Sequence, residues 1–157
     1  MYRTNPEVTI AKAALLLLCA MPYSASAVVC ASEGELTGVA RWFEEYRQAW
    51  EHLNASAATS IFVKDAVYAA DPFETPLHGQ VEIRKYWDEV AHAQRDVKVD
   101  FQILAVSSTA SIVHWHATFT RTASGQRVEI DGIAEVTLDP EGKCVRFRAW
   151  WNRKQTP

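Results

Sequence analysis

Residues 65–87 read DAVYAADPFETPLHGQVEIRKYW and contain a short apolar strand, a turn and the start of an amphipathic helix. Val67-Tyr68 favours extended backbone, whereas Asp71-Pro72 and Pro76 fix φ and remove backbone donors, so the strand must end there. Beyond the turn, apolar side chains recur at the spacing of one helix face; they are Ile83, Tyr86, Trp87 and Val90. The helix therefore needs a sheet or another helix to cover that face.

Two more helices are predicted on the N-terminal side of this segment. Between residues 36 and 53 the apolar positions follow steps of three and four, which is typical of a helix packed on one side; they are Val39, Phe43, Tyr46, Trp50 and Leu53. Residues 55–62 form a second, short helix, for which Asn54 and Ser56 are alternative N-caps. Three helices thus precede the long strands of the chain.

The C-terminal half changes from a helical period to a period of two. Apolar and polar residues alternate over 97–103, and longer strands are predicted at 111–121, 126–138 and 143–151. Alternation assigns one face to the helices; it holds Trp115, Ala117, Phe119, Ile130, Gly132, Ala134, Val136, Val145, Phe147, Ala149 and Trp151. Helices followed by a one-sided, meandering antiparallel sheet predict an α+β fold.

Composition limits the classes of partner. The chain has 157 residues with 16 Lys and Arg against 19 Asp and Glu, and its formal net charge is -3. Without a basic run, neither nucleic acid nor an anionic membrane is an expected partner. Six Trp, five Tyr and six Phe are consistent with an aromatic-lined cavity as well as with a bulky core.

The N-terminus has the pattern of a secretory signal peptide. Arg3 and Lys12 precede the apolar run 13–21, and small residues follow at 25–27. We therefore expect a signal peptide at 1–27 and a mature domain at 28–157, in a secreted or periplasmic protein that has no membrane segment after cleavage. The alternative is a cytoplasmic protein whose start is misassigned.

Cysteines and histidines give no clear metal or redox motif. The spacing of Cys19, Cys30 and Cys144 fits neither kind of site, and a Cys30–Cys144 disulfide and two free thiols both remain open. His114 and His116 lie on the outward face of a strand, where a surface or dimer role is favoured over a metal site. No Gly-rich loop implies a cofactor, so neither a cofactor nor a metal is expected.

The order of these elements resembles that of the SnoaL-like branch of the nuclear transport factor 2-like superfamily. Three segments carry the resemblance, namely FVKDAVYAADPFETPLHG at 62–79, VEIRKYW at 81–87 and GIAEVTLDPEGKCVRFRAWW at 132–151. The resemblance covers about residues 39–151. It implies a cystatin-like cone, in which a curved antiparallel sheet wraps three N-terminal helices around a mostly apolar pocket.

Within that superfamily, the resemblance implies a limited acid/base chemistry. By comparison with ketosteroid isomerase, Tyr46 falls where an oxyanion-binding Tyr is expected, and Asp71 lies in the turn that carries the base. Ala134 stands where that enzyme has its oxyanion Asp, so steroid isomerisation is not expected. An isomerase or cyclase acting next to a carbonyl would use Asp71 as base and Tyr46 as donor. Their alternative roles are turn former and core residue.

A pocket of this type would be lined by aromatic side chains. The candidates for substrate binding are Trp50, Tyr68, Phe73, Tyr86, Trp115, Phe119 and Trp151. The expected partner is a small apolar or aromatic molecule, and the alternatives to catalysis are binding without turnover and an accessory domain whose pocket is collapsed. We also expect a homodimer formed through the outward face of the sheet.

Overall fold

The computed structural model describes residues 32–154, so the predicted signal peptide, Cys19 and Cys30 lie outside the described part of the chain. The elements are α1 (Glu33–Glu51), α2 (Ala55–Ser60), β1 (Phe62–Ala69), β2 (Leu77–His78), α3 (Gly79–Ala93), β3 (Gln94–Val106), β4 (Ser111–Arg121), β5 (Arg127–Leu138) and β6 (Cys144–Arg153). The α+β fold with three helices and a curved, unclosed sheet is confirmed.

The first two helices begin at polar caps that satisfy their orphan amides. The Ser32 hydroxyl accepts from the Glu35 amide at 3.2 Å, and the Glu35 carboxylate accepts from the Ser32 amide at 2.7 Å. This reciprocal pair is a capping box, and it sets the start of α1. For α2 the cap is Asn54, whose side chain accepts from the Ala57 amide at 3.0 Å. Of the two alternatives for this cap, the structure selects Asn54 over Ser56.

All six strands form one sheet in the order β2-β1-β6-β5-β4-β3. Strands β3 to β6 form the predicted antiparallel meander. Strand β1, however, pairs in parallel with β6, and it meets the short β2 on its other side. Alternation along a strand specifies its two faces but not its neighbours, so this parallel pair was not predicted.

One position of the inward face was predicted wrongly. Val145 is 39% exposed, and the neighbouring Cys144 is fully buried in its place. The cause is a β-bulge between β5 and β6, where Arg146 pairs with Thr137 but Cys144 pairs with Leu138. The extra residue reverses the alternation locally, so Val145 turns towards solvent.

Helices α1 and α3 cover the concave face of the sheet and enclose an aromatic core. Trp42 and Phe62 are almost completely buried and meet edge to face at 5.6 Å. The Trp42 indole also donates to the Ile61 carbonyl at 2.9 Å, which ties α1 to the start of β1. Among residues 32–154, no helix is long and apolar enough to cross a membrane.

Candidate functional site

The concave face of the sheet and helices α1 and α3 enclose a cavity of about 220 Å³. Half of the residues in its wall are aromatic; they are Tyr46, Trp50, Tyr68, Tyr86, Trp87, Trp115, Phe119, Phe147 and Trp151. Six of the seven predicted binding residues therefore lie on the wall, together with Tyr46. That they bind a ligand remains a prediction. The space is of the size and character that suits a small, mainly apolar molecule.

Two predicted residues, Phe73 and Asp71, do not line the cavity. Phe73 is 96% exposed, so its predicted place in the pocket wall was wrong. Asp71 Oδ1 accepts a hydrogen bond from the Phe73 amide at 2.9 Å. A bond from an Asp side chain to the amide two residues later is typical of a turn. Both residues follow the end of β1 at Ala69, beyond the point where strand alternation assigns a direction.

Three tyrosines from three different elements meet at the inner part of the wall. The hydroxyls of Tyr46 on α1 and Tyr68 on β1 are hydrogen-bonded at 3.1 Å. The ring of Tyr86 on α3 lies 5.4 Å from the ring of Tyr68. Helix and strand periods direct each of these side chains inward, and the fold brings them together. We call Tyr46, Tyr68 and Tyr86 the tyrosine cluster.

The tyrosine cluster stays neutral at physiological pH. Burial raises the pKa of Tyr46 and of Tyr68 above the usual value near 10. Burial also raises the pKa of Tyr86, and the negative charge of Asp71 adds to that rise. Neutral phenols can donate a hydrogen bond but cannot serve as bases, so the cluster is a set of donors inside an apolar cavity.

The four tryptophans of the wall differ in how their indole N–H groups are used. Trp50 donates to the Gln94 side chain and Trp151 to the Ala70 carbonyl, each at 2.8 Å. The indole nitrogens of Trp87 and Trp115 are buried and find no hydrogen-bond partner among residues 32–154. A buried donor without a partner costs about 1–3 kcal/mol of folding free energy.

The charged side chains of the wall were largely missed by sequence reasoning. Arg121 and Arg153 line the cavity, and within the described part of the chain no Asp, Glu or His does so. Arg121 could be read as inward from the alternation of β4. Arg153 lies two residues beyond the predicted end of the last strand, so no face was assigned to it. Trp87 was assigned to the helix face but not to the pocket.

The histidines of β4 lie on the opposite face of the sheet, away from the cavity. His114 is 3.0 Å from the Asp131 carboxylate, and His116 is 3.4 Å from that of Glu129. Over the described residues, no group of three or more His, Cys, Asp or Glu side chains is arranged to hold a metal ion. These two histidines therefore take part in cross-strand pairs of the outer surface.

Comparison with known families gives a single assignment for this architecture. Residues 39–147, which are more than half of the chain, match the family described as SnoaL-like domain. No curated protein sequence matches the chain.

Solved structures with the same architecture share little sequence with this chain. One of them is SalBIII, which is described as an epoxide hydrolase/cyclase-like enzyme with a role in pyran ring formation in the polyether salinomycin. It is 21% identical to this chain with a TM-score of 0.62, and the match covers 76% of this chain and 91% of SalBIII. A presumed isomerase from Bacillus subtilis is 13% identical with a TM-score of 0.66, over 75% and 88%. A conserved protein from Planctomyces limnophilus DSM 3776 is 14% identical with a TM-score of 0.65, over 78% and 100%. At these identities the likeness concerns the fold alone.

Proposed function

Since the chain belongs to the SnoaL-like domain family, we propose that it is an enzyme that moves a proton next to the carbonyl group of a small, mainly aromatic molecule. The observation that carries this proposal is the tyrosine cluster, a set of neutral donors in a mainly apolar cavity. Removing a proton beside a carbonyl leaves negative charge on the carbonyl oxygen. Donors held in place within an apolar site stabilise that charge strongly.

The hydrogen bond between Tyr46 and Tyr68 leaves a donor for the substrate. One hydroxyl donates to the other at 3.1 Å, and this bond does not use the O–H of the accepting hydroxyl. A substrate carbonyl can accept a hydrogen bond from that O–H. The two hydrogen bonds then run in the same direction and strengthen each other by polarisation. The second donor that ketosteroid isomerase obtains from a protonated Asp would be supplied here by the paired tyrosine, because position 134 is an alanine.

Asp71 is the proposed proton acceptor. Asp71 lies two residues beyond Ala69, which pairs with Arg148 on the parallel strand β6, and its charge acts on Tyr86 of the tyrosine cluster. One carboxylate oxygen is held by the Phe73 amide, whereas the other has no protein partner among residues 32–154. In the proposed step, that oxygen takes the proton from the carbon beside the carbonyl, leaving an enolate that is conjugated with a neighbouring double bond, and returns it to the far carbon of that double bond, so that the double bond moves into conjugation with the carbonyl.

Binding without turnover is a second candidate, and one observation favours it. The cavity wall holds no carboxylate or imidazole within the described residues, and Asp71 stands outside that wall in a turn-forming bond. On this alternative, the aromatic wall binds the ligand and the tyrosine cluster only orients it. Asp71 would then matter for the turn alone.

Hydrogen–deuterium exchange on 2-tetralone separates the two candidates. The probe is an aromatic ketone with exchangeable protons beside its carbonyl, and NMR in D₂O follows their loss while tryptophan fluorescence gives its Kd. We expect Asp71→Asn to slow protein-catalysed exchange by about 10²–10⁴-fold with Kd almost unchanged. Tyr46→Phe should slow it by about 10²-fold through loss of an oxyanion donor.

Asp65→Asn is the matched control, because Asp65 is an exposed carboxylate on β1 that has no side-chain partner among the described residues. It should leave exchange unchanged. Binding of 2-tetralone without exchange above the buffer rate would exclude the enzymatic proposal and favour the binder. In that case Trp151→Ala should weaken binding, whereas Asp71→Asn should not. Loss of binding itself after Asp71→Asn would contradict the role of proton acceptor.

A further inference from the structure

Two arginines stand on the concave face at the open end of the cavity. Arg121 is the last residue of β4, two positions beyond the inward, buried Phe119. Arg153 is the last residue of β6 and pairs with the inward Ile130 of β5. Because residues two apart on a strand, and residues directly paired across strands, share a face, both arginine side chains arise from the cavity side of the sheet. Both line the cavity wall.

Neither of these guanidinium groups is neutralised by the protein. Across residues 32–154, no ion pair and no side-chain hydrogen bond involves Arg121 or Arg153, whereas Arg47 and Arg148 pair with carboxylates at 2.6 Å. The wall of the cavity also contributes no acidic side chain within this range. Two positive charges therefore face a mainly aromatic space without a protein counter-charge, and like charges at one site favour an anionic ligand.

We propose that Arg121 and Arg153 bind a carboxylate group of the ligand, so that the substrate class is an aromatic keto acid. The keto group in this inference rests on the proposed function, whereas the carboxylate site rests only on the cavity being a small-molecule site. The planar fork of a guanidinium matches a carboxylate with two parallel hydrogen bonds. At the exposed end of the cavity, the carboxylate keeps part of its hydration, so its desolvation cost is small while the aromatic body is buried.

The two polar ends of such a ligand would lie at opposite ends of the cavity. The Tyr46 ring stacks on Phe147 at 5.5 Å, and Phe147 precedes Arg153 on the same strand β6. Six residues of strand span about 20 Å along the backbone, and the side chains shorten that separation by reaching inward. A carbonyl at the tyrosine cluster and a carboxylate at the arginines therefore require an elongated molecule with its aromatic part between them.

A pair of probes that differ only in charge tests the carboxylate site. The probes are 2-naphthoate and the neutral 2-naphthamide, and quenching of tryptophan fluorescence measures the Kd of each. We expect the full-length protein to bind 2-naphthoate about tenfold more tightly than 2-naphthamide. Arg121→Gln and Arg153→Gln should each raise the Kd of 2-naphthoate by about three- to tenfold and leave the Kd of 2-naphthamide unchanged. The size of each rise reports how much that arginine contributes to binding of the carboxylate.

Arg41→Gln is the matched control, since Arg41 lies outside the cavity wall and has no ion pair among the described residues. It removes the same charge and should change neither affinity. Equal affinities for the two probes, or equal losses of both in the arginine variants, would overturn the carboxylate site while leaving the cavity as a small-molecule site. Binding of neither probe, with 2-tetralone also unbound, would overturn both proposals. Exchange on 2-tetralone that persists without any carboxylate preference would overturn this inference alone.

Discussion

Gly132 shows how one missing side chain shapes the cavity. It occupies an inward position of β5 and pairs with Trp115 on β4 and with Trp151 on β6, two tryptophans of the cavity wall. A Cβ at this position would come within 2.4 Å of the Trp150 carbonyl oxygen and 2.6 Å of the Trp151 Cβ. Real Cβ atoms do not approach backbone so closely, so the strand must move or the residue must remain glycine.

We expect Gly132→Ala to lower the free energy of unfolding by about 1–3 kcal/mol, because the new methyl group forces β6 away from β5. Urea denaturation followed by circular dichroism measures the change. Gly38→Ala is the matched control: its Cβ would meet nothing within 4 Å in the middle of α1. Alanine is a better helix former than glycine, so this variant should raise the free energy of unfolding by about 0.5–1 kcal/mol. Equal effects of the two substitutions would contradict the steric account.

For single residues, the sequence predicts which face of the sheet a side chain lies on only where apolar and polar residues alternate regularly. Alternation along β4 assigns Trp115 and Phe119 to the concave face, and both lie on the cavity wall. It fails at Val145, where a bulge shifts the alternation, and at Phe73, which follows the end of a strand. Neither a bulge nor the direction of a loop side chain is encoded by hydrophobic spacing, because both depend on local hydrogen bonding.

Each helix boundary is set by a few specific hydrogen bonds, and α2 offers a clear test. Its N-cap is Asn54, whose side chain accepts from the Ala57 amide, while Ser56 makes no side-chain hydrogen bond among the described residues. We expect Asn54→Ala to lower the free energy of unfolding by about 1 kcal/mol through loss of the cap. Ser56→Ala should change it by no more than a few tenths, since serine at an exposed helix position contributes little.

Chemical denaturation of both variants and of the wild type measures this difference. A loss on Ser56→Ala as large as that on Asn54→Ala would place the start of α2 two residues later than in the structure. The composition of this segment makes either residue an acceptable cap, because Asn and Ser rank alike at that position. Only the hydrogen bond, which depends on the path of the chain after Leu53, distinguishes them.

Among the elements, the helices and the meander follow from their periods, whereas the position of β1 does not. The apolar steps of α1 and the alternation of β4 and β5 are local properties of the sequence. The parallel pairing of β1 with β6 joins segments that are far apart in the chain, such as Tyr68 with Phe147. That pairing brings Tyr68 beside Tyr46, so one of the three members of the tyrosine cluster depends on a contact that no local pattern reveals.

At the scale of the whole molecule, the sheet has a covered face and an open face with different chemistry. The concave face is rich in aromatic residues, whereas the outward face carries the cross-strand pair His114–Asp131 and the ion pair Arg148–Glu135. Lys154 and His116 hydrogen-bond to Glu129 on that face, and they lower the pKa of its carboxyl. Trp150 is 43% exposed there, and the Arg148 guanidinium lies 5.5 Å from its ring centre. Trp and Arg are both enriched at protein–protein interfaces and among the residues that contribute most of the binding energy.

The predicted homodimer would therefore use this outward face, with Trp150 near its centre. Deleting a buried aromatic residue from such a position commonly removes a large part of the binding energy, so we expect Trp150→Ala to weaken the dimer by at least about tenfold in Kd. Sedimentation velocity over a range of concentrations measures it. Phe73→Ala is the matched control, because Phe73 is an exposed aromatic residue that lies on the loop between β1 and β2 and not on a strand of the sheet. A wild type that is monomeric at all concentrations, or equal weakening by both variants, would exclude this face as the dimer interface.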